Sequence, residues 1–449
     1  MKLQLNRMVA AAAAFSMAPF LVQARSPYGL DKTLVLFDEG THQELYSTFF
    51  ADLKERGLEL DFLNVKDTAD FDLIVDGENE YDNLLVLPTK VKSLGPKLKA
   101  DTLLEFFNKG GNILAITNAV SSPESLREFL NELEISVAPR GYRAIDHFSY
   151  DTTDEIKHDV IRVSERADSN ILSTGEVLYR GSAAYLGNSN PHVVPIAHGS
   201  KTSYAYDAAD DGLALQTPWA SGTQLYYVAG FQGNNNARVA WAGSSDLFSD
   251  EFFGLNPENR KAAAELSKWT FQEKNVLKLE YSQHEAVNET AEWSTTSGHA
   301  LYHVKENVKY TAALSEWDGE RWTPYVADDI QLEFVMLDPY YRLTFGAPVE
   351  QTATAAVYVT EFKVPDQHGI FTFKLDYERP GLTFLRDHKT VTVRHTANDE
   401  WPRSWEITNS WVYMSSFLAV VGAWIAFVVF YLFIGKGGET STSKAKKNN

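Results

Sequence analysis

The stretch from Lys32 to Val65, KTLVLFDEGTHQELYSTFFADLKERGLELDFLNV, decides the fold class of the N-terminal half. Thr33–Phe37 reads as a short buried strand, apolar from Leu34 onward. Thr41 and Glu44 stand three apart, which predicts a capping box. Tyr46, Phe49, Phe50 and Leu53 then follow at the i, i+3, i+4, i+7 spacing of one helical face. Leu58–Val65 returns to a strand pattern. Strand, helix, strand in this order is the unit of a parallel sheet.

The rhythm continues outward from there. Asn83–Leu87 (NLLVL) and Asn112–Thr117 (NILAIT) predict two more strands. Leu103, Leu104, Phe106 and Phe107 mark a helix between them, ended by Gly110-Gly111. Because that pair follows a helix and precedes a strand, it is read as a C-cap rather than a phosphate cradle. Ser122-Pro123 is expected to cap a further helix carrying Leu126, Phe129, Leu130 and Leu133 on one face. From Val137 to about Gly230 the pattern changes to short extended runs and turns. Strands at Leu225–Phe231 and Ala237–Ala242 and a helix opened by Asn256-Pro257 restore it. The expectation is an α/β Rossmann-like domain of flavodoxin or glutaminase type over 25–275, with a β-rich insertion near 137–230. Beyond Leu277 helical periodicity stops. Aromatic and β-branched runs such as Val308–Leu314, Ile330–Leu337, Ala355–Phe362 and Ile370–Tyr377 predict one or two β-sandwich modules over 276–410.

Both ends carry address information. Residues 1–24 are expected to form a signal peptide: Lys2 and Arg7, an apolar run from Met8 to Val22, and a small-residue exit at Val22-Gln23-Ala24. Trp411–Gly435 contains no charge, long enough to cross a hydrocarbon core of about 30 Å as a helix. Trp401, Trp405, Trp411 and Tyr413 sit where amphipathic rings prefer the interface. Within the span, Ser415, Ala419, Gly422 and Ala426 form a small-residue stripe of the kind that lets a second helix approach. The tail 436–449 carries four lysines against Glu439 and stops on Lys446-Lys447-Asn448-Asn449, a dilysine ending of the type coat proteins read. The expected topology is type I, single-pass, with the bulk in the lumen of the endoplasmic reticulum.

Composition narrows the chemistry. The 41 Lys and Arg against 60 Asp and Glu give a formal charge of −19. Removing a leader that holds Lys2 and Arg7 makes the rest more acidic still, which argues against nucleic acid as a partner. There is no cysteine, so thiol catalysis, thiolate metal sites and disulfides are excluded. No compact metal cluster stands out, and no cofactor is expected. His299 and His303 are four apart, but on a predicted strand that separates them by about 13 Å. Asp207-Ala208-Ala209-Asp210-Asp211-Gly212 breaks the calcium-loop pattern, with Ala209 at the third position and Pro218 at the twelfth. Asp328-Asp329 would place neighbouring carboxylates on opposite strand faces. Asn288-Glu289-Thr290 is an acceptor sequon for N-glycosylation. Ligands of parallel α/β sheets bind beyond the strands' carboxyl ends; the loops there bring in Asp38, Glu39, Asn118, Ser244, Ser245 and Asp246, a hydrophilic and acidic set expected to form a crevice.

Four stretches carry a family resemblance: Asp328–Arg342 (DDIQLEFVMLDPYYR), Val364–Phe371 (VPDQHGIF) with Pro380-Gly381, Ala144–Asp151 (AIDHFSYD), and Leu34–Phe62. Together they resemble the 48-kilodalton subunit family of oligosaccharyltransferase, fungal wheat-germ-agglutinin-binding type. The resemblance implies a non-catalytic, membrane-anchored scaffold in the complex that transfers a preassembled oligosaccharide from dolichyl diphosphate to Asn of Asn-x-Ser/Thr. It implies as partners a catalytic multi-spanning subunit, a ribophorin-II-like subunit and a small defender-against-death-type membrane subunit. A membrane-anchored lumenal glycosidase, or a carbohydrate- or cargo-binding protein recycled by its lysines, remains the alternative.

Overall fold

A computed structural model describes residues 26–38, 43–68, 71–152, 157–164, 170–173, 175–187, 189–207, 218–287, 301–398 and 409–436. The leader, Glu39, Thr41, Asp210 and Asp211, Asn288, His299, Trp401, Trp405, Lys446 and Lys447 lie outside the described residues. Two compact units are present, Met1–Val393 and Arg394–Asn449.

The first unit begins with a nine-stranded mixed sheet. Strands β1 (Lys32–Phe37), β2 (Glu59–Asn64), β3 (Asn83–Val86) and β4 (Asn112–Ile116) are followed by β5 (Ile135–Val137), β6 (Ala184–Leu186), β7 (Val193–His198), β8 (Tyr226–Gln232) and β9 (Arg238–Ala242). Their order is β2-β1-β3-β4-β9-β8-β6-β5, with β7 also on β8. β2, β1, β3, β4 and β9 run parallel; β8, β7, β6 and β5 join antiparallel. Strands β6, β7 and most of β8, from the stretch expected as an insertion, therefore extend the main sheet. The remainder includes a three-stranded sheet of Tyr142–Ile145, Tyr204–Asp207 and Ala220–Ser221.

Helices α1 (Ser47–Glu55), α2 (Ala100–Asn108), α3 (Glu124–Glu132), α4 (Asp250–Leu255) and α5 (Pro257–Thr270) cover the sheet. Phe49 and Leu53 of α1 and Leu266 and Trp269 of α5 share a core with Val35, Leu85 and Leu114. Phe106 of α2 and Phe129 of α3 pack with Leu34, Leu84 and Ile113. Alternate residues of one strand thus enter two different cores, which is why β3 and β4 are apolar after their opening residues, Asn83 and Asn112.

Helix ends show what local sequence decides and what it does not. Gly110 at φ +96° and Gly111 close α2, their amides donating to Phe107 O and Phe106 O at 3.0 Å each; this is the expected C-cap. Asn256 caps α5 by accepting from Glu258 N at 3.0 Å, with Pro257 in the first turn. One expectation is corrected. α3 has Pro123 as its N-cap and no side-chain cap bond, and Ser122 Oγ is buried without a partner. α1 begins at Ser47, after a 3-10 turn over Gln43–Tyr46; the expected Thr41–Glu44 box falls on Thr41, outside the described residues. The first amides of α1 donate to Asp250, Ser47 N to Oδ2 and Thr48 N to Oδ1 at 3.0 Å each. Burial raises the Asp250 carboxyl, but the Ser47 and Thr48 donors outweigh it and hold the pKa below its ordinary value.

Residues Val276–Val393 form two five-stranded sheets around one core. The first contains β10 (Val276–Ala286), β12 (Asn307–Trp317) and β15 (Ala356–Lys363). The second contains β11 (Leu301–His303), β13 (Gln331–Met336), β14 (Asp338–Thr344), β16 (Gly369–Tyr377) and β17 (Leu385–Arg394). Phe334 and Phe371 stack at 4.6 Å between ring centres. Asp329 lies before β13 and accepts from Tyr377 OH at 2.9 Å and Arg379 Nε at 2.5 Å, so it serves as a structural clamp.

The α/β and β-rich parts are locked together by polar side chains buried between them. Arg238 on β9 is fully buried; Nη1 donates to Trp269 O at 2.9 Å and Lys274 O at 2.7 Å, and Nη2 to Asn275 O at 2.7 Å and Thr383 Oγ1 at 3.1 Å. Its guanidinium lies 5.2 Å from the Trp269 ring centre. Burial pushes its pKa down to about 9, with Tyr28 opposing. Around it, Gln232 Nε2 donates to Leu382 O at 2.7 Å and Trp269 Nε1 to Gly381 O at 2.8 Å. Asn236 accepts from Phe384 N at 2.8 Å. Chain segments roughly 110 to 150 residues apart are joined without a disulfide.

The second unit contains α6 (Ser410–Lys436). Within it Ser410–Ile434, whose most apolar window has a mean hydropathy of 2.6, is long and apolar enough to cross a membrane. Ser415, Ala419, Gly422 and Ala426 are exposed on α6 and fall within about 60° of arc at 3.6 residues per turn.

Candidate crevice at the carboxyl ends of the parallel strands

Beyond the carboxyl ends of β4 and β9 lies a crevice of about 720 Å³. Asn118, after β4, shapes one wall: its Oδ1 accepts from Val120 N at 3.0 Å and Ser121 N at 2.6 Å, folding the loop back on itself. Ser245 and Asp246, after β9, form the opposite wall, and Asn118 Nδ2 donates to Ser245 Oγ at 3.4 Å. Tyr46 of the turn before α1 meets Ser245 as well; burial pushes its phenol up to about 12.

The six residues expected at this end divide. Asn118, Ser245 and Asp246 line the crevice together. Ser244 lies fully buried, its Oγ accepting from Leu247 N at 3.2 Å. Asp38 is also buried and accepts from Lys90 N at 3.3 Å, tying the loop after β1 to the loop after β3. Both support the loops structurally.

The expected acidic character is corrected. Arg143, Lys157 and Arg180 line the same crevice as Asp159, Asp246 and Glu251. Arg180 Nε donates to Asp246 Oδ2 at 2.6 Å and Arg143 Nη1 to Asp159 Oδ2 at 3.0 Å. The guanidinium of Arg180 also lies 5.3 Å from the Phe252 ring centre. Among the described lining residues, carboxylates and cations are balanced. Sequence reasoning missed the three cations because they come from the irregular stretch between β5 and β8, and Arg180 meets Asp246 across 66 positions. Gly181 offers the one local sign. Ser182 N donates to Gly243 O at 2.9 Å, and a Cβ at Gly181 would overlap that same carbonyl oxygen. This close backbone approach places Arg180 beside Asp246.

Next to the crevice, Asp146 directly follows the strand Tyr142–Ile145, its amide donating to His158 O. It is fully buried and accepts from Ser200 Oγ, from Ser203 Oγ at 2.9 Å, and from Thr202 Oγ1 at 2.9 Å. It also accepts from Phe148 N at 2.9 Å and Ser149 N at 3.1 Å. Five donors on one carboxylate make it a loop anchor. Of the two histidines considered for a metal, His303 lies 3.6 Å from Glu306 and its neighbour His299 is outside the described residues. Among the described residues, no three His, Cys, Asp or Glu side chains gather into a metal-holding group.

Known proteins resemble this chain along nearly its whole length. The family models described as the OST48 N-terminal domain and the OST48 middle domain match residues 23–273 and 284–435. A relative from Saccharomyces cerevisiae, dolichyl-diphosphooligosaccharide–protein glycosyltransferase subunit WBP1, is 37% identical over 93% of this chain and 94% of its own. The 48 kDa subunit of the same glycosyltransferase from Danio rerio is 32% identical over 90% of this chain and 92% of its own. Among solved structures, a carbohydrate deacetylase, Agd3, covers 54% of this chain and 32% of its own at 10% identity and a TM-score of 0.33, too loose to argue from. On these matches the chain belongs to the OST48 family.

Proposed function

We propose that the protein is a membrane-anchored scaffold subunit of the oligosaccharyltransferase complex, supporting N-glycosylation in the endoplasmic reticulum. The observation that carries this is the end-to-end likeness to named subunits, over 93% of this chain and 94% of the relative. The architecture agrees: a lumenal body whose halves are interlocked through Arg238 presents fixed surfaces, and α6 supplies an anchor. In this reading the chain is type I, its leader is removed, and chemistry resides in a separate multi-spanning subunit. A ribophorin-II-like subunit and a small defender-against-death-type subunit are its other neighbours. Lys446 and Lys447 return it through coat proteins, and Asn288 carries a glycan. On fold, we propose that β2-β1-β3-β4-β9 is a Rossmann-like core. Its parallel order and its helices on both faces support that assignment.

Purification of the full chain in mild detergent, with mass-spectrometric identification of everything that follows it, tests the reading. A multi-spanning glycosyltransferase subunit should be recovered in near-stoichiometric amount; recovery of the chain free of any transferase subunit would overturn it. The small-residue stripe makes a sharper prediction. Close helix packing in lipid needs small side chains at the contact, so Ala419→Leu with Gly422→Leu should lower co-recovery about tenfold, equivalent to ~1.4 kcal/mol. Unchanged recovery would show that the stripe is not the contact.

A further inference from the structure

We propose that the crevice between the loops after β4 and β9 binds a neutral oligosaccharide, through the unspent edges of Arg143 and Arg180. Its volume of about 720 Å³ falls within the ~300–1,000 Å³ of small-ligand sites. Its charge decides the ligand class. Arg143, Lys157 and Arg180 face Asp159, Asp246 and Glu251 across one cavity, so among the described residues the lining carries no surplus for a phosphate and none for a cation. Asp246 on Arg180 and Asp159 on Arg143 already neutralise the two guanidinium groups, so an anion at their remaining N–H groups gains little net attraction.

What the pairs leave over is hydrogen-bonding capacity. Arg180 is held through Nε and Arg143 through Nη1. Among the described residues, the Nη1 and Nη2 groups of Arg180 and the Nε and Nη2 groups of Arg143 have no protein acceptor. Each guanidinium is therefore fixed in orientation by a carboxylate while its other N–H groups stay available, next to carboxylate lone pairs. Adjacent fixed donors and acceptors suit hydroxyl groups, which donate and accept at once. Asn118 and Ser245 add amide and hydroxyl groups to the same lining. Val120 and Leu255 stand 56% and 51% exposed on the lining, an apolar surface that the C–H face of a sugar ring can cover. A neutral peptide laid along a sheet edge or in an apolar slot needs main-chain partners or an apolar lining, and this crevice is lined largely by paired charges.

The inference does not rest on the scaffold reading. The scaffold reading is tested by what co-purifies, whereas this one is tested on the isolated full-length chain in detergent micelles. The probes are a panel of fluorescently labelled neutral hexose oligosaccharides, with inorganic phosphate and a neutral peptide as competing arms. Saturable binding of at least one neutral oligosaccharide is expected, undisturbed by phosphate. Arg180→Ala should weaken it about tenfold or more, ~1.4 kcal/mol. Val120→Trp, a change at an exposed position that fills the cavity without touching the ion pairs, should do the same while leaving the melting temperature in place. No saturable binding across the panel, binding indifferent to both substitutions, or preference for phosphate or peptide would overturn the proposal.

Discussion

An Arg238→Ala chain is expected to lose about 3–5 kcal/mol of stability, as when one partner is removed from a buried charged network. The guanidinium is fully buried and satisfies the carbonyls of Trp269, Lys274 and Asn275 and the hydroxyl of Thr383. Truncation leaves those acceptors dry and opens a cavity against Trp269. Because Thr383 belongs to the β-rich part and Trp269 to α5, the loss falls on the junction of the two halves. Thermal unfolding of the full-length chain should show a drop of roughly 5–15 °C and a separation of α/β from β-rich melting. Arg238→Lys keeps the charge but not the planar fork and should recover only part of the loss. Melting of Arg238→Ala within about 2 °C of the unaltered chain would refute the interlock.

A second large effect is expected at Asp146. Its five donors come from residues 148–149 and 200–203, two loops that nothing in their local sequence would bring together. Asp146→Ala abandons two backbone amides and three hydroxyls in a buried site, at a cost of about 3–5 kcal/mol. Asp146→Asn should cost less, since hydroxyls can reverse and donate or accept, whereas the amides of Phe148 and Ser149 cannot. The site also has a pH signature. Burial raises this carboxyl, but the Ser200, Phe148, Ser203 and Ser149 donors prevail and hold its folded pKa below the ordinary 3.8. A depressed acid contributes stability that is complete above its unfolded pKa and is lost as pH falls through the folded one. Below about pH 4 the unaltered chain should therefore lose stability more steeply than Asp146→Asn. Parallel acid-unfolding curves for the two would show that Asp146 is not anchored as described.

These two residues mark the limit of what the chain discloses on its own. The parallel half was legible because strands buried on both faces are apolar runs and helices over them repeat every three to four residues. Gly110-Gly111 and Asn256-Pro257 ended and opened helices as written, for those devices act within a few residues. Wherever a distant side chain does the work, local pattern misled. The amides at the start of α1 are met by Asp250, more than 200 residues away, and no capping signal near Thr41 could disclose that. The crevice shows the same division. Its position follows from topology, and Asn118, Ser245 and Asp246 were named from it, but its charge balance depends on Arg143, Lys157 and Arg180 from an irregular stretch. Ser244 and Asp38 have the right address and face inward, because a residue's place in a loop does not fix the direction of its side chain. Ala144–Asp151, read as a family motif, proves to hold a fold-forming carboxylate.

The central claim is that this chain contributes to glycan transfer by positioning other subunits and not by turning over substrate. The most direct test supplies the purified full-length chain, free of companions, with lipid-linked oligosaccharide, divalent metal and an Asn-x-Thr peptide, and follows glycopeptide formation beside the intact complex. The account predicts product from the complex and none from the chain alone; glycopeptide, or cleaved oligosaccharide, formed by the isolated chain would contradict it.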